Sequence, residues 1–444
     1  MKNQNYWNPK TELMSRDGLG KIQLKKLKVL VDWAYNNSPL WKGKLDAVGF
    51  EPGDIKSLED IKKIPFLTRE ELSESQLENP LFGEFMTVND KQAVRYHQTS
   101  GTSGKGPLRI LDGRKDWEWG SEMWCYGLYA FGIRDTDICM IASGYGTFIG
   151  FWLAHYACEK IGALTIPTGG MSSEERIDKI MELEVTTLIT TPTYAIRLAQ
   201  VAGEMGIDLA QDSKVKYIVN SGEPGGSIPG TKKMLEDTWG AKVADFTGMS
   251  ETGGITCYEC NEQSDGIHII EDHYIQEVID PLTADNLSYG QRGELVITSF
   301  GRGAFPLIRY RTGDLVERVE SSFCSCGRTF DLFKGGIIGR ADDMKHVRGV
   351  NIFPSAIEDI VREFKEVDEF QIIIYKEKDI DQVKVKIELF PEYFPRRNQH
   401  LQKIVSKKLY EAHRLSFNVE IAEPGALPKY ELKSRRFRDL RTKK

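Results

Sequence analysis

The sequence has no strong excess of charge of either sign. Its 59 lysines and arginines against 65 aspartates and glutamates leave a formal charge of −6. It therefore lacks the positive field that draws proteins onto polyanionic DNA or RNA, and no nucleic-acid partner is expected. The first thirty residues mix Asn, Asp, Glu and Lys and hold no apolar signal-peptide core, which predicts a cytoplasmic protein. Long hydrophobic runs are also missing, with one exception. Ile138 to Cys158 carries no Asp, Glu, Lys or Arg over 21 residues, but it contains Ser143, Gly144, Gly146, Thr147, Gly150 and His155. That composition reads as a buried strand, a glycine loop and a helix rather than a bilayer span, so no membrane partner is expected. Seven cysteines in 444 residues are too few, and odd in number, for a disulfide framework; they predict reduced thiols. Internal repeats and low-complexity tracts are absent.

What is present fits a folded protein of two or three units: 40% hydrophobic and 28% charged residues over 444 positions. Short apolar strands alternate with helical patterns in the first three quarters, as at Thr187 to Thr190 followed by Thr193 to Gly203. Val215 to Asn220 and Lys242 to Phe246 are further strands leading into Gly-rich loops. Past residue 340 the texture changes. Pro354 to Phe364 reads as a helix with proline in its first turn, Val383 to Leu389 alternates as a one-sided strand, Asn398 to His413 is an amphipathic helix, and Phe417 to Ala422 another strand. The expected fold class is a large α/β N-terminal domain of layered sheets and helices, residues 1–340, followed by a small mobile α+β C-terminal domain, residues 341–444. The chain closes on a basic run from Lys433, a solvated tail or a surface that meets phosphates.

The clearest local signal is Thr99-Ser100-Gly101-Thr102-Ser103-Gly104-Lys105. Glycines let backbone N–H groups approach an anion, hydroxyls add donors and the lysine adds charge, so this loop suits phosphates. It is not a Walker loop, because two residues rather than four separate Gly101 from Gly104, and Gly106 follows Lys105. Gly144-Tyr145-Gly146 with Gly150 misses the dinucleotide-binding spacing by one residue, which argues against a nicotinamide enzyme.

Four further segments follow in order: Asp245-Phe-Thr-Gly-Met-Ser-Glu251; Arg309-Tyr-Arg-Thr-Gly-Asp314; Gly339-Arg-Ala-Asp-Asp-Met344 with Arg348-Gly-Val-Asn351; and Leu427-Pro-Lys-Tyr-Glu-Leu-Lys433. Together with the hydroxyl-glycine loop they resemble the adenylate-forming superfamily of acyl-CoA ligases, in wording closest to the phenylacetate-CoA ligase branch. The resemblance implies that Thr99 to Lys105 embraces the ATP phosphates, that Glu251 helps hold Mg²⁺, and that Asp314 grips the ribose hydroxyls. It places Gly222-Glu223-Pro224 against adenine with Asp245, Phe246, Thr247 and Arg340 in the nucleotide site, makes Asp342 a hinge, and makes Lys433 a mobile catalytic lysine. Arg348 and Gly349 would line the coenzyme A path. The implied activity is ATP-dependent activation of a carboxylic acid to acyl-AMP and its transfer to coenzyme A. No Ser or Cys triad is required, because a carboxylate is already a nucleophile and the task is to neutralise charge at the α-phosphate. Transfer to a carrier-protein thiol, adenylation of another coenzyme, and a noncatalytic nucleotide-binding protein are the rival readings, and a homodimer is left open.

Tyr145, Phe148, Phe151, Trp152 and Tyr194 would wall the acyl pocket with Gly248, and no acidic residue between Ile141 and Cys158 is there to meet a substrate ammonium. An apolar, aromatic acid is expected. Cys324-Ser-Cys326, with Cys260 and His268, offers three thiolates and an imidazole, a structural zinc set. Cys257 is a candidate substitute for His268. His268 and Asp272 also have acyltransferase spacing, a pattern too short to carry weight. Cys125, Cys139 and Cys158 read as small buried side chains.

Overall fold

The computed structural model describes residues 5–99, 106–341, 345–348, 350–378, 380–394, 398–430 and 436–441. Its centre is a long sheet. Strands Leu164–Pro167, Ile138–Ile141, Thr187–Thr190, Tyr217–Ser221 and Lys242–Met249 run parallel in that spatial order. The direction then reverses through Gly254–Tyr258, Gly266–Ile269 and Leu332–Lys334. The antiparallel edge is built from Leu307–Val319, Arg292–Ser299 and Tyr274–Ile279.

Strands buried on both faces read as continuous apolar runs, and here the alternation divides them between two cores. Ile141, Ile189, Val219 and Ala244 enter one core with helices Arg114–Phe131 and Ile149–Ile161. Their neighbours Met140, Leu188, Ile218 and Val243 enter a second with helices Ser173–Glu182, Pro192–Glu204 and Pro229–Trp239. The charge-free stretch from Ile138 is strand, loop and helix, and no helix among the described residues is long and apolar enough to cross a membrane.

A third core holds only residues from Val347 onward. It lies beneath a four-stranded sheet in the order Phe417–Ala422, Ile380–Leu389, Val367–Glu377, Phe437–Asp439, with helices Pro354–Arg362 and Asn398–His413. The first helix stops two residues short of the expected Phe364. The Asn398–His413 and Phe417–Ala422 elements have the expected bounds.

Candidate active site

Parallel strands deliver their following loops to one edge, where open α/β sheets bind ligands. Here the segments after Ile141, Thr190, Ser221 and Met249 converge. Arg69 stands opposite them, at the first position of the Arg69–Glu78 helix, whose Thr68 and Glu71 form a reciprocal cap. Its Nη2 donates to Thr99 Oγ1 (3.0 Å) and to the Gly106 carbonyl (3.2 Å), so it grips both described ends of the hydroxyl-glycine loop. Its Nε lies 4.0 Å from Glu251 Oε1, and its Nη1 is buried without a hydrogen-bond partner among the described residues.

Glu251 is itself placed from behind. Arg302, paired bidentately with buried Asp112 at 2.7 Å, donates to the carbonyls of Ser250 and Glu251 at 2.6 and 3.1 Å. Tyr310 donates to Glu251 Oε1 at 3.4 Å. Burial pushes the Tyr310 phenol well above its ordinary range, and Glu251, Arg69, Asp314 and Arg340 all act on it electrostatically. The Arg69–Glu251 and Asp314–Arg340 pairs thus both act on the neutral Tyr310 phenol. Asp314 faces Arg340 across an antiparallel pair, and Arg340 Nη1 donates to Asp314 Oδ1 at 3.0 Å.

Gly222 takes φ +93°, which a β-carbon would resist. Glu223 Oε1 accepts the Thr193 N–H (3.0 Å) at the start of the Pro192–Glu204 helix. Pro224 is exposed. Asp245 accepts from the Ser227 hydroxyl, and burial pushes its carboxyl up to about 6. Half-buried Thr247 lies within hydrogen-bonding reach of it. Phe246 departs from its expected place beside a nucleotide. Its ring is 1% exposed and packs against Trp124 and Tyr258 in the core, because alternation turns it to the opposite face from Asp245 and Thr247. Only its backbone belongs to the site edge.

On the acyl side, Tyr145 is buried with Trp152 at 4.7 Å between ring centroids, and Phe148 is exposed at the start of the Ile149–Ile161 helix. Tyr194 belongs to the second core, its hydroxyl held by Arg176 and Ser173, and the same Arg176 acts electrostatically on the Tyr145 phenol. Gly248 is required by packing: a β-carbon there would meet the Gly254 carbonyl at 2.4 Å. Arg348 donates to the Ser416 carbonyl at 2.9 Å. Ser100 to Lys105, Asp342, Gly349 and Lys433 lie outside the described residues.

Cys260, His268, Cys324 and Cys326 bring their ligand atoms within 4.8 Å of one another. Cys260 and Cys324 sulfurs are 3.6 Å apart, and Cys326 Sγ is 3.3 Å from His268 Nε2. Tetrahedral zinc with bonds of about 2.3 Å to sulfur needs ligand sulfurs roughly 3.8 Å apart, so the donor set fits. His268 Nδ1 faces the Phe330 carbonyl at 3.2 Å, which turns the Nε2 lone pair toward the thiols. Cys257 stands apart, its thiol donating to Gln276, and does not substitute for His268.

Sequence reasoning missed Arg69 and Arg302, which lie in no motif; only the fold brings them to Thr99 and Glu251.

The fold and this edge define an adenylate-forming enzyme with a separate C-terminal unit. The family of AMP-binding enzyme C-terminal domains matches residues 349–441. The phenylacetate-coenzyme A ligase of Aromatoleum evansii is 34% identical over 97% of this chain and 97% of its own length. The chain belongs to the phenylacetate-CoA ligase family. Among solved structures, 2-hydroxyisobutyryl-CoA ligase in its postadenylation state with an acyl-AMP superposes with a TM-score of 0.92 at 29% identity, covering 98% of this chain and 92% of the other. The same ligase in its thioesterification state, with acyl-AMP and CoA, gives 0.75 at 30% identity, covering 99% and 94%. The present structure therefore stands nearer the postadenylation arrangement.

Proposed function

We propose that the protein joins an apolar, aromatic carboxylic acid to coenzyme A through an acyl adenylate, releasing pyrophosphate and AMP. The observation that carries this reading is the convergence of Arg69, Thr99, Glu251, Tyr310, Asp314 and Arg340 at one sheet edge. Arg69 and the Thr99 to Lys105 loop hold the phosphates. Asp314, oriented by Arg340, accepts from the ribose hydroxyls. Glu251 would hold Mg²⁺, which neutralises phosphate charge when bound. Gly222 to Pro224, Asp245, Thr247 and the Phe246 backbone border the adenine, while Tyr145, Phe148 and Gly248 border the acid. Lys433 supplies charge at the α-phosphate, and the unit from residue 341 turns about Asp342 to bring Arg348 and Gly349 to the thiol of coenzyme A. Cys260, His268, Cys324 and Cys326 would hold a structural zinc, four protein ligands leaving no open position for chemistry. A reducing cytoplasm suits these thiols.

The test is pyrophosphate release across aryl, arylacetic, fatty and amino acids, with and without coenzyme A. An aryl or arylacetic acid should be favoured, and thioester should form only with free coenzyme A. Release with no thioester to free coenzyme A would favour a carrier-protein acceptor instead. Arg69→Met should lower kcat/KM for ATP about tenfold to a hundredfold, the loss of a charged contact to phosphate. Unaltered ATP kinetics would remove Arg69 from the site.

A further inference from the structure

The loop from Ser143 to Phe148 leaves the C-terminal end of the Ile138–Ile141 strand and enters the Ile149–Ile161 helix. In it Tyr145 has φ +58°, a left-handed conformation that a β-carbon disfavours and that persists only where the surroundings over-determine it. Those surroundings are specific. Trp152 lies 4.7 Å from the Tyr145 ring, and its Nε1 donates to the Gly146 carbonyl at 2.9 Å. Gly169 lies against the other side, where a β-carbon would sit 3.3 Å from Tyr145 Cδ2. The Thr147 carbonyl accepts from Gln98 N–H at 3.2 Å, which ties the loop to the residue preceding Thr99.

The phenol is held by a hydrogen-bond chain. Tyr145 Oη lies 3.0 Å from His155 Nδ1, and His155 Nε2 lies 3.2 Å from Glu159 Oε1, one helical turn on. A carboxylate only accepts, so the proton of a neutral imidazole belongs on Nε2 and the Nδ1 lone pair takes the Tyr145 O–H. Burial pushes the phenol up, so Tyr145 keeps that proton. The chain runs from a buried ring beside the acyl side of the site to a carboxylate 53% exposed on the surface. Nothing in acyl adenylation needs an imidazole there.

We infer that His155, oriented by Glu159, is a positioning residue for the acid: it fixes the Tyr145 hydroxyl and so holds the strained Tyr145 ring as a wall of the acyl pocket. This rests on the acid-activating reading above. His155 acts through Tyr145 and does not touch the reacting atoms.

Full-length variants are assayed with the aryl or arylacetic acid that the wild type turns over fastest in the pyrophosphate screen. An enzyme that turns over none overturns the reading above and this inference with it. In an active enzyme, His155→Phe should raise KM for the acid about tenfold while KM for ATP holds and kcat stays within about twofold. Tyr145→Phe should do the same, and the double variant should be no worse than either single one, because both remove one interaction. His155→Asn, which keeps a polar atom in place of Nδ1, should recover most of the loss. The inference is overturned if KM for the acid does not move in His155→Phe, if the KM values for acid and ATP rise together, or if the two single effects multiply in the double variant.

Discussion

Two places in the molecule join segments far apart in sequence, and they are built oppositely. At the cysteine knuckle, Cys260 and Cys324 are members of the largest apolar core, with Cys326 packed against it. Around them Tyr6 donates to the Cys326 carbonyl at 2.8 Å, and Arg328 pairs with fully buried Glu12 at 2.7 Å. At the junction with the C-terminal unit, no apolar core crosses among the described residues: the first two cores end at Phe333 and the third begins at Val347. Phe353 lies against Gly339, where a β-carbon would sit 3.0 Å from its Cδ1, and the hydrogen bonds there join polar groups. Asp359 Oδ1 accepts the Gly230 N–H (2.9 Å), Gln200 donates to Asp368, and Ser355 donates to the Ile338 carbonyl (2.9 Å). Separating apolar surface costs about 25 cal/mol per Å², whereas a hydrogen bond exchanged for water costs only about 1 kcal/mol net. The knuckle is therefore a permanent joint, and the junction is one that can open. That is the property a two-step enzyme needs from a unit serving each half-reaction in a different orientation.

The largest effect should come from the movable side. Lys433→Ala removes a charge expected to act only in adenylation, so acyl-adenylate formation should fall about 10²-fold or more, a contact worth on the order of 3 kcal/mol. Thioester formation from supplied acyl-AMP should survive. Equal loss of both half-reactions would show that this lysine does not travel with a moving unit. The fixed side should break differently. Cys326→Ser, or chelation of protein purified without added metal, should lower Tm by roughly 5–10 °C, with activity lost in step with unfolding. Elemental analysis should find about one zinc per chain. A metal-free sample with unchanged Tm and activity would reduce the knuckle to four packed side chains.

Much of this contrast was legible in the sequence, and what was hidden has physical reasons. Period-two alternation in Val383 to Leu389 and the 3.6-residue pattern of Asn398 to His413 are set by burial against one core, so they survive in the sequence as pattern. That Cys260, His268, Cys324 and Cys326 come together was readable because thiols and imidazoles are rare enough for spacing to matter. Phe246 was misplaced although the information was present: it lies between Asp245 and Thr247, and adjacent strand residues face opposite ways. Arg69 was not readable at all. Nothing near it in sequence marks it as different from the surface-facing arginine of any helix start, and its meaning arises only where the fold sets it between Thr99 and Glu251. The polar character of the junction was equally invisible, since Asp359, Asp368 and Gln200 read as ordinary solvated helix and strand residues until their partners across the gap are seen.

The smallest predicted effect sharpens the comparison most, because it separates the junction from stability. Gly230 is the second residue of the Pro229–Trp239 helix, and its φ lies outside the left-handed region, so alanine suits the backbone. Alanine there should hold or slightly raise helix stability, by about 0.5–1 kcal/mol at most. Yet an added β-carbon would lie 2.7 Å from the Asp359 carbonyl oxygen and 3.1 Å from Arg362 Cβ, both on the opposing helix of the C-terminal unit. Because the nearer atom is backbone, it cannot swing aside as the end of a flexible side chain would. The helices must separate by a few tenths of an ångström or more, which also stretches the Gly230 to Asp359 hydrogen bond. Gly230→Ala should therefore leave Tm unchanged or slightly higher and slow adenylation a few-fold, with thioester formation from supplied acyl-AMP unaffected, a shift of about 1 kcal/mol in favour of the open arrangement. Measuring the two half-reactions separately, beside a melting curve, decides it. A fall in Tm matched by equal slowing of both steps would mean that the contact serves folding, and that the junction is as fixed as the knuckle.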